Sequence, residues 1–263
     1  MQVGLIGCGN MARALARGWG RPVLCADPIA ERARALAEEL GGEALASNTE
    51  VAARAELVVL CHKPAQLATV AEEVGAGATP VASILAVTPL RALREAYPGR
   101  PVYRFIPSLP VEVRQGAVVQ AAGPGRLDGD RSASSSARLD ESVAELFAEL
   151  GTLVVLDDSL LDVATGLMSC APAYVALVAE AQVDAGVRRG IPAVQGAELV
   201  VQTLAGTAEL LRRRGYDTMA VRREVSSPGG LTARGLDALE RAGLRRAFSE
   251  ALDAVLEPPG AGR

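Results

Sequence analysis

A doubly wound parallel α/β sheet followed by an all-helical region is the fold class this sequence predicts. Short apolar runs alternate with longer helical patterns from Val3 to Leu156, a glycine-rich turn separates the first run from the first helix, and strand patterns vanish after Leu160. Strand–helix alternation implies right-handed crossovers and a parallel sheet covered on both faces. With 263 residues the chain exceeds what one core usually holds, so two domains are expected, over 1–158 and 159–263.

Val3 to Ile6 reads as the first strand and Met11 to Gly18 as the first helix. Val23 to Ala26 reads as a second strand, followed by a charged helix from Ala30 to Leu40. Leu57 to Cys61 is a continuous apolar run, the pattern of a strand buried on both faces. Val81 to Leu85 and Val102 to Ile106 repeat it, with helical segments between. Gly123 to Arg138, rich in Gly, Ser and charge, breaks the rhythm and reads as an exposed loop. A helix from Glu141 to Leu150 and a strand from Leu153 to Leu156 close the sheet domain.

Four helical stretches are expected beyond Leu160: Asp162 to Gly190, Ala193 to Arg214, Met219 to Val225, and Thr232 to Leu256. Ala173 to Ala185 and Val200 to Leu211 are apolar on more than one face, and such helices must be buried. A helical domain of this size has little interior, so a subunit interface is the natural place for that surface.

The bulk numbers bound the function. Apolar residues are 49% and charged residues 22% of the chain, ordinary for a soluble globular protein. A net charge of −4 argues against nucleic acid or an anionic membrane as partner. The uncharged run Val163 to Ala179 contains Thr165, Gly166, Ser169 and Pro172. It falls short of the ~20 residues a span needs, so a core or interface helix is the better reading. The first strand begins at Gln2 and Val3, leaving no room for a secretory leader. Cys8, Cys25, Cys61 and Cys170 form no C-x-x-C pair, and His62 is the single histidine, so no zinc set is expected. Unpaired cysteines with a structural role imply a reducing, cytoplasmic compartment.

Gly7-Cys8-Gly9-Asn10-Met11-Ala12 carries the G-x-G-x-x-G/A fingerprint between strand and helix. Gly7 permits the tight turn, Gly9 lets a pyrophosphate approach, Ala12 allows close helix–strand packing, and the helix N–H groups hold phosphate. Asp27, ending the second strand, suits a ribose 2′-OH and disfavours a 2′-phosphate, favouring NADH over NADPH. Its alternative role is to cap the next helix with Pro28, and Arg32 or Arg34 can also reach a 2′-phosphate. His62, Lys63 and Pro64 follow the fourth strand at the edge where cofactors bind, and are candidate contacts.

Several separated segments resemble the pyrroline-5-carboxylate reductase family. Ser227-Pro228-Gly229-Gly230-Leu231-Thr232 is similar to the family signature S-P-G-G-x-T, and Gly7 to Ala12 to its G-x-G-N-M-A, including Asn10 and Met11. Lys63-Pro64, Asp162 to Leu167 and Pro172-Ala173-Tyr174 fit as well, so the resemblance spans the chain. It implies an N-terminal Rossmann-type domain and a helical dimerisation domain, with an active site completed across a homo-oligomer interface. It further implies NADH- or NADPH-dependent reduction of a small cyclic imine, 1-pyrroline-5-carboxylate, to L-proline.

In that reading the backbone N–H groups of Gly229 to Thr232 bind the substrate carboxylate, with Ser227 beside them. The Thr232 hydroxyl hydrogen-bonds the ring nitrogen. An iminium substrate brings its own proton, so positioning can replace a strong general acid. Two segments depart from the family. Ile106-Pro107-Ser108-Leu109-Pro110 stands for M-P-N-T-P, which makes Ser108 the candidate nicotinamide contact, and Met168-Ser169-Cys170-Ala171 stands for S-G-S-G. These departures leave open a reductase of another cyclic imine, or a dinucleotide-binding protein without turnover.

Overall fold

A computed structural model describes residues 1–123 and 133–257. Among these, eight strands form one sheet: β1 (Val3–Ile6), β2 (Leu24–Ala26), β3 (Glu43–Ala44), β4 (Leu57–Leu60), β5 (Val81–Ser83), β6 (Val102–Pro107), β7 (Gly116–Ala121) and β8 (Gly151–Leu156). Their order is β3-β2-β1-β4-β5-β6-β7-β8. Neighbours are parallel except β6 and β7, which pair antiparallel through Ile106 and Val119. The chain winds outward from β1 to β3 and then returns to β4 beside β1. Winding reverses there, and a crevice opens outside the carboxyl ends of β1 and β4.

Helices cover both faces. On one, α1 (Asn10–Trp19), α2 (Ala30–Leu40) and α6 (Ala133–Ala148) bury Leu15, Leu36 and Phe147 against Leu5, Leu57 and Phe105. Phe105 stacks on Phe147 at 3.8 Å, Trp19 meets Phe147 edge-on, and Trp19 Nε1 donates to Leu146 O at 2.8 Å. On the other, α3 (Asn48–Arg54), α4 (Leu67–Val74), α5 (Leu90–Ala96) and the short α7 (Leu161–Ala164) bury Val51, Val70, Leu93 and Leu161.

The fold departs from the sequence expectations in several places. The two-residue β3, α3 and β7 had no expected range, and β7 makes the sheet mixed rather than wholly parallel. Residues 124–132 of the expected loop lie outside the described residues. Ala133 to Arg138 is helix rather than loop, because adding residues to a helix already packed through Val143 and Phe147 costs less than starting one. The stretch expected as one helix over Thr232 to Leu256 is two, α11 (Leu231–Arg241) and α12 (Leu244–Leu256), broken where Gly243 adopts φ +82°.

The expected helix from Asp162 is likewise divided. A π segment, Thr165–Ser169, separates α7 from α8 (Ala171–Val187). The whole run Asp158–Val187 is long and apolar enough to cross a membrane by length and composition alone. The helices α9 (Ala193–Arg213) and α10 (Thr218–Glu224) follow, the latter capped by Asp217, which accepts from the N–H groups of Met219 and Ala220. Contacts divide the chain into compact units Met1–Pro172 and Ala173–Arg263.

Candidate active site

The glycine-rich turn sits where β1 and β4 end. Gly7 adopts φ +93°, and a Cβ there would meet the Cys61 carbonyl carbon and the His62 nitrogen at 2.9 Å. The position therefore needs glycine on two counts, conformation and space. Gly9 precedes α1 in extended backbone, and a Cβ built on it meets nothing within 4 Å. That open approach leads to a helix start with no side-chain cap, the arrangement that accepts a pyrophosphate. Asn10 is exposed, Met11 packs partly against the core, and Ala12 is buried between helix and strand.

Asp27 joins this turn to β2. Its Oδ2 accepts from Cys8 N–H at 2.7 Å and its Oδ1 from Ile29 N–H at 2.8 Å. The side chain thus fixes the loop and the entry to α2 together, while each oxygen keeps a further lone pair for a hydroxyl. Two adjoining cavities open beside it, of about 320 and 120 Å³. Asp27, Ser47, Asn48, Thr49 and Glu73 line the larger, and Gly7, His62, Gln66 and Glu73 the smaller.

His62 Nδ1 lies 2.9 Å from Lys63 O, while its Nε2 is buried without a hydrogen-bond partner. Burial lowers its pKa below the usual imidazole value, against smaller opposing effects of the Lys63 backbone and Glu73. Lys63 is exposed, its backbone N–H donates to Gln66 Oε1 at 3.2 Å, and Pro64 opens the short turn Pro64–Gln66. Burial pushes the Cys61 thiol up, and a hydrogen bond with Cys25, with burial second, raises the Cys8 thiol. Both stay protonated near neutrality. Among the described residues no group of three or more His, Cys, Asp or Glu side chains is arranged to hold a metal ion.

Ser108 is 3% exposed. Its Oγ accepts from Ala117 N–H at 2.9 Å and its N–H donates to Ala117 O at 2.9 Å, so it stitches the end of β6 to β7. The hydroxyl retains one hydrogen to donate. The two segments that depart from the family touch each other: Ser169 Oγ donates to Pro107 O at 3.0 Å.

In the unit Ala173–Arg263, Ser227 to Thr232 form a turn leading into α11. Gly229 adopts φ +69°, and a Cβ on Gly230 would lie 2.5 Å from Ser227 Oγ. Gly230 N–H donates to Ser227 O at 3.0 Å, so this amide is spent within the turn and is not available to a ligand as expected. The first intrahelical bond runs from Arg234 N–H to Gly230 O. The amides of Leu231, Thr232 and Ala233 precede it and have no side-chain cap, which leaves them for an anion. Ser227, Gly229 and Thr232 are exposed.

Two features escaped the sequence reading. Arg104, in the middle of β6 and 1% exposed, donates to Asp158 Oδ1 at 2.8 Å and to Asp162 Oδ1 at 2.7 Å. Asp158 Oδ2 also accepts from Leu90 N–H at 2.9 Å, so one carboxylate ties β6, α5 and the turn before α7. An arginine amid apolar strand residues was the available signal, and only its partners 54 and 58 positions on explain it. Val87 is the second feature: it adopts φ +48° while 73% exposed, just beyond β5 at the same carboxyl edge. A β-branched residue there is strained, and such strain gathers at functional edges. Nothing in the local sequence announces it.

Comparison with known proteins agrees with this geometry. Residues 158–258 match the family described as pyrroline-5-carboxylate reductase dimerisation, and residues 2–87 match NADP oxidoreductase, coenzyme F420-dependent. The chain is 35% identical to pyrroline-5-carboxylate reductase of Thermus thermophilus and 32% identical to that of Synechocystis, each over 97% of this chain and 96% of the relative. Among solved structures it is similar to 1-pyrroline-5-carboxylate reductase from Streptococcus pyogenes, with TM-score 0.83, 28% identity, and coverage of 97% and 96% of the two chains.

Proposed function

The chain belongs to the pyrroline-5-carboxylate reductase family, and we propose that it reduces 1-pyrroline-5-carboxylate to L-proline with NADH or NADPH, a step of proline biosynthesis. The observation that carries the reading is the pairing of two anion-ready helix starts in one chain. One lies behind the open Gly9 and the other behind Gly230 in the S-P-G-G-x-T turn.

Gly7, Gly9, Asn10, Met11 and Ala12 form the cradle of the pyrophosphate. Asp27 takes a ribose hydroxyl, and His62, Lys63, Pro64 and Ser108 complete the cofactor contacts. When bound, the dinucleotide would supply the hydride for the ring carbon bonded to nitrogen. The substrate carboxylate binds the free amides of Leu231, Thr232 and Ala233 at the start of α11. Ser227, Gly229 and Gly230 shape that turn. The Thr232 hydroxyl accepts from the iminium N–H and holds the ring in place. With the substrate already protonated, orientation carries the catalysis, and no acid–base pair is required of the protein. The protein works as a homo-oligomer, at least a dimer, through its helical unit, in the cytoplasm, without nucleic acid or membrane as partner.

The test is oxidation of NADH and NADPH, in parallel, with pyrroline-5-carboxylate. Rapid oxidation is expected; bound dinucleotide with no oxidation sinks the substrate assignment. A second reading, reduction of a different cyclic imine, is favoured by the Ser169–Pro107 hydrogen bond, which places both departures from the family side by side. A panel of cyclic imines separates the two. A dinucleotide-binding paralogue without turnover is left only if every imine fails.

A further inference from the structure

We infer that this protein is built to use NADH and to reject NADPH, with Glu73 of α4 as a second specificity-determining residue beside Asp27. The inference rests on the cofactor reading above and extends it to a residue the strand-end rule does not name. That rule asks for one acidic residue after the second strand. Here the cavity next to the glycine-rich turn carries two acidic side chains from different elements, Asp27 after β2 and Glu73 on α4. The neighbouring cavity, which reaches Gly7 and His62, shares Glu73, Asn48 and Pro28 with it. No lysine or arginine is among the residues lining either cavity.

The cavity is fixed in place rather than merely acidic. Asn48 Nδ2 donates to Glu73 Oε2 and Thr49 Oγ1 donates to Glu73 O, both at 2.5 Å, so α3 and α4 hold each other across it. Ser47 caps α3 by accepting from Glu50 N–H at 3.1 Å. The polar groups left at the wall are carboxylate oxygens, hydroxyls and an amide, which suit ribose hydroxyls. A phosphate carrying close to two negative charges meets two carboxylates and no counter-charge, an arrangement that costs affinity by like-charge repulsion. The sequence alone offered Arg32 and Arg34 as rival phosphate ligands. Arg34 stands 3.4 Å from Glu31 on its own helix, and neither arginine lines the cavity.

The test is calorimetric binding of NADH, NADPH, ADP-ribose and 2′-phospho-ADP-ribose to the intact protein, with imine reduction measured separately. The 2′-phosphorylated member of each pair is expected to bind roughly tenfold or more weakly. Salt from 50 to 500 mM should narrow that gap, since it screens repulsion. In E73Q, which keeps an acceptor for Asn48, the ratio of the two dissociation constants should fall about threefold, a modest change because Glu73 is exposed. In E73K it should fall further. Equal or tighter binding of NADPH overturns the inference, as does a ratio unmoved in both Glu73 variants. Binding of neither dinucleotide overturns the cofactor reading and this inference together. NADH bound roughly tenfold or more tightly than NADPH, without imine reduction, counts against the substrate assignment alone and supports the selectivity.

Discussion

The two compact units bury their apolar side chains to opposite extents. In Met1–Pro172 a dry core lies on each face of the sheet, with Leu5, Phe105 and Phe147 on one and Val58, Leu60 and Leu93 on the other, all without solvent exposure. In Ala173–Arg263, Val221 is the single apolar side chain among the described residues that is buried, while Leu177 and Leu199 remain 64% and 62% exposed. Composition does not separate them, for both are rich in Ala, Val and Leu. Architecture does. A sheet offers two faces that helices of the same chain can cover, whereas helices apolar on several sides have only one another and a second copy. The first unit is complete in one chain, and the second becomes complete in the homo-oligomer that its family match implies.

The hardest test of that contrast is a charge on the unfinished surface. Leu177→Asp puts a carboxylate where another copy is expected to pack, and an unpaired buried charge costs about 3–5 kcal/mol. Light scattering should record single chains and turnover should collapse. An assembled, active variant breaks the comparison. Next in size is Arg104→Met in the self-sufficient unit, which strands Asp158 and Asp162 around a buried site. Because those carboxylates are 27% and 45% exposed, we expect a loss of about 2–3 kcal/mol, read as roughly 5–10 °C in thermal midpoint. Less than 1 °C would show that the ion cluster is incidental.

Thr232→Ala sharpens the comparison from the other side. The exposed hydroxyl holds up no core, so the midpoint should stay put while turnover falls by about 1–3 kcal/mol, or roughly 5- to 150-fold. Unchanged turnover removes Thr232 from the mechanism.

The smallest effect concerns His62. Its folded pKa lies below the ordinary value near 6.5 because burial opposes the charge. As pH falls, the unfolded chain takes up the proton first, so stability present above about pH 6.5 is lost down to the folded pKa and is constant below it. Denaturant midpoints between pH 7.5 and 5 should slope less in His62→Leu. Parallel slopes in variant and parent would exclude the buried imidazole as their source.

Much of the site was legible because its residues act locally. The turn Gly7 to Ala12 reads as a phosphate cradle from spacing alone, and the positive φ at Gly7 is the physical counterpart of that spacing. Ser227 to Thr232 were legible through resemblance, and the uncapped start of α11 agrees. Illegible were the features made by distant partners. The second role of Ser108 was one of these: its hydroxyl accepts from Ala117 of β7, a strand with no strong pattern of its own. Glu73 read as one more charge on an amphipathic helix until the fold set it beside Asn48 and Asp27.

The sequence by itself determined the class of fold, the positions of most buried strands and the two glycine-dependent turns, because apolar periodicity and backbone freedom are properties of neighbouring residues. Only the tertiary structure decided the antiparallel β7, the break at Gly243, the anchoring of Arg104 and the acidic cavity beside the glycine-rich turn. Each of these depends on which residues meet across tens of positions, and that is set by how the elements pack rather than by any local preference.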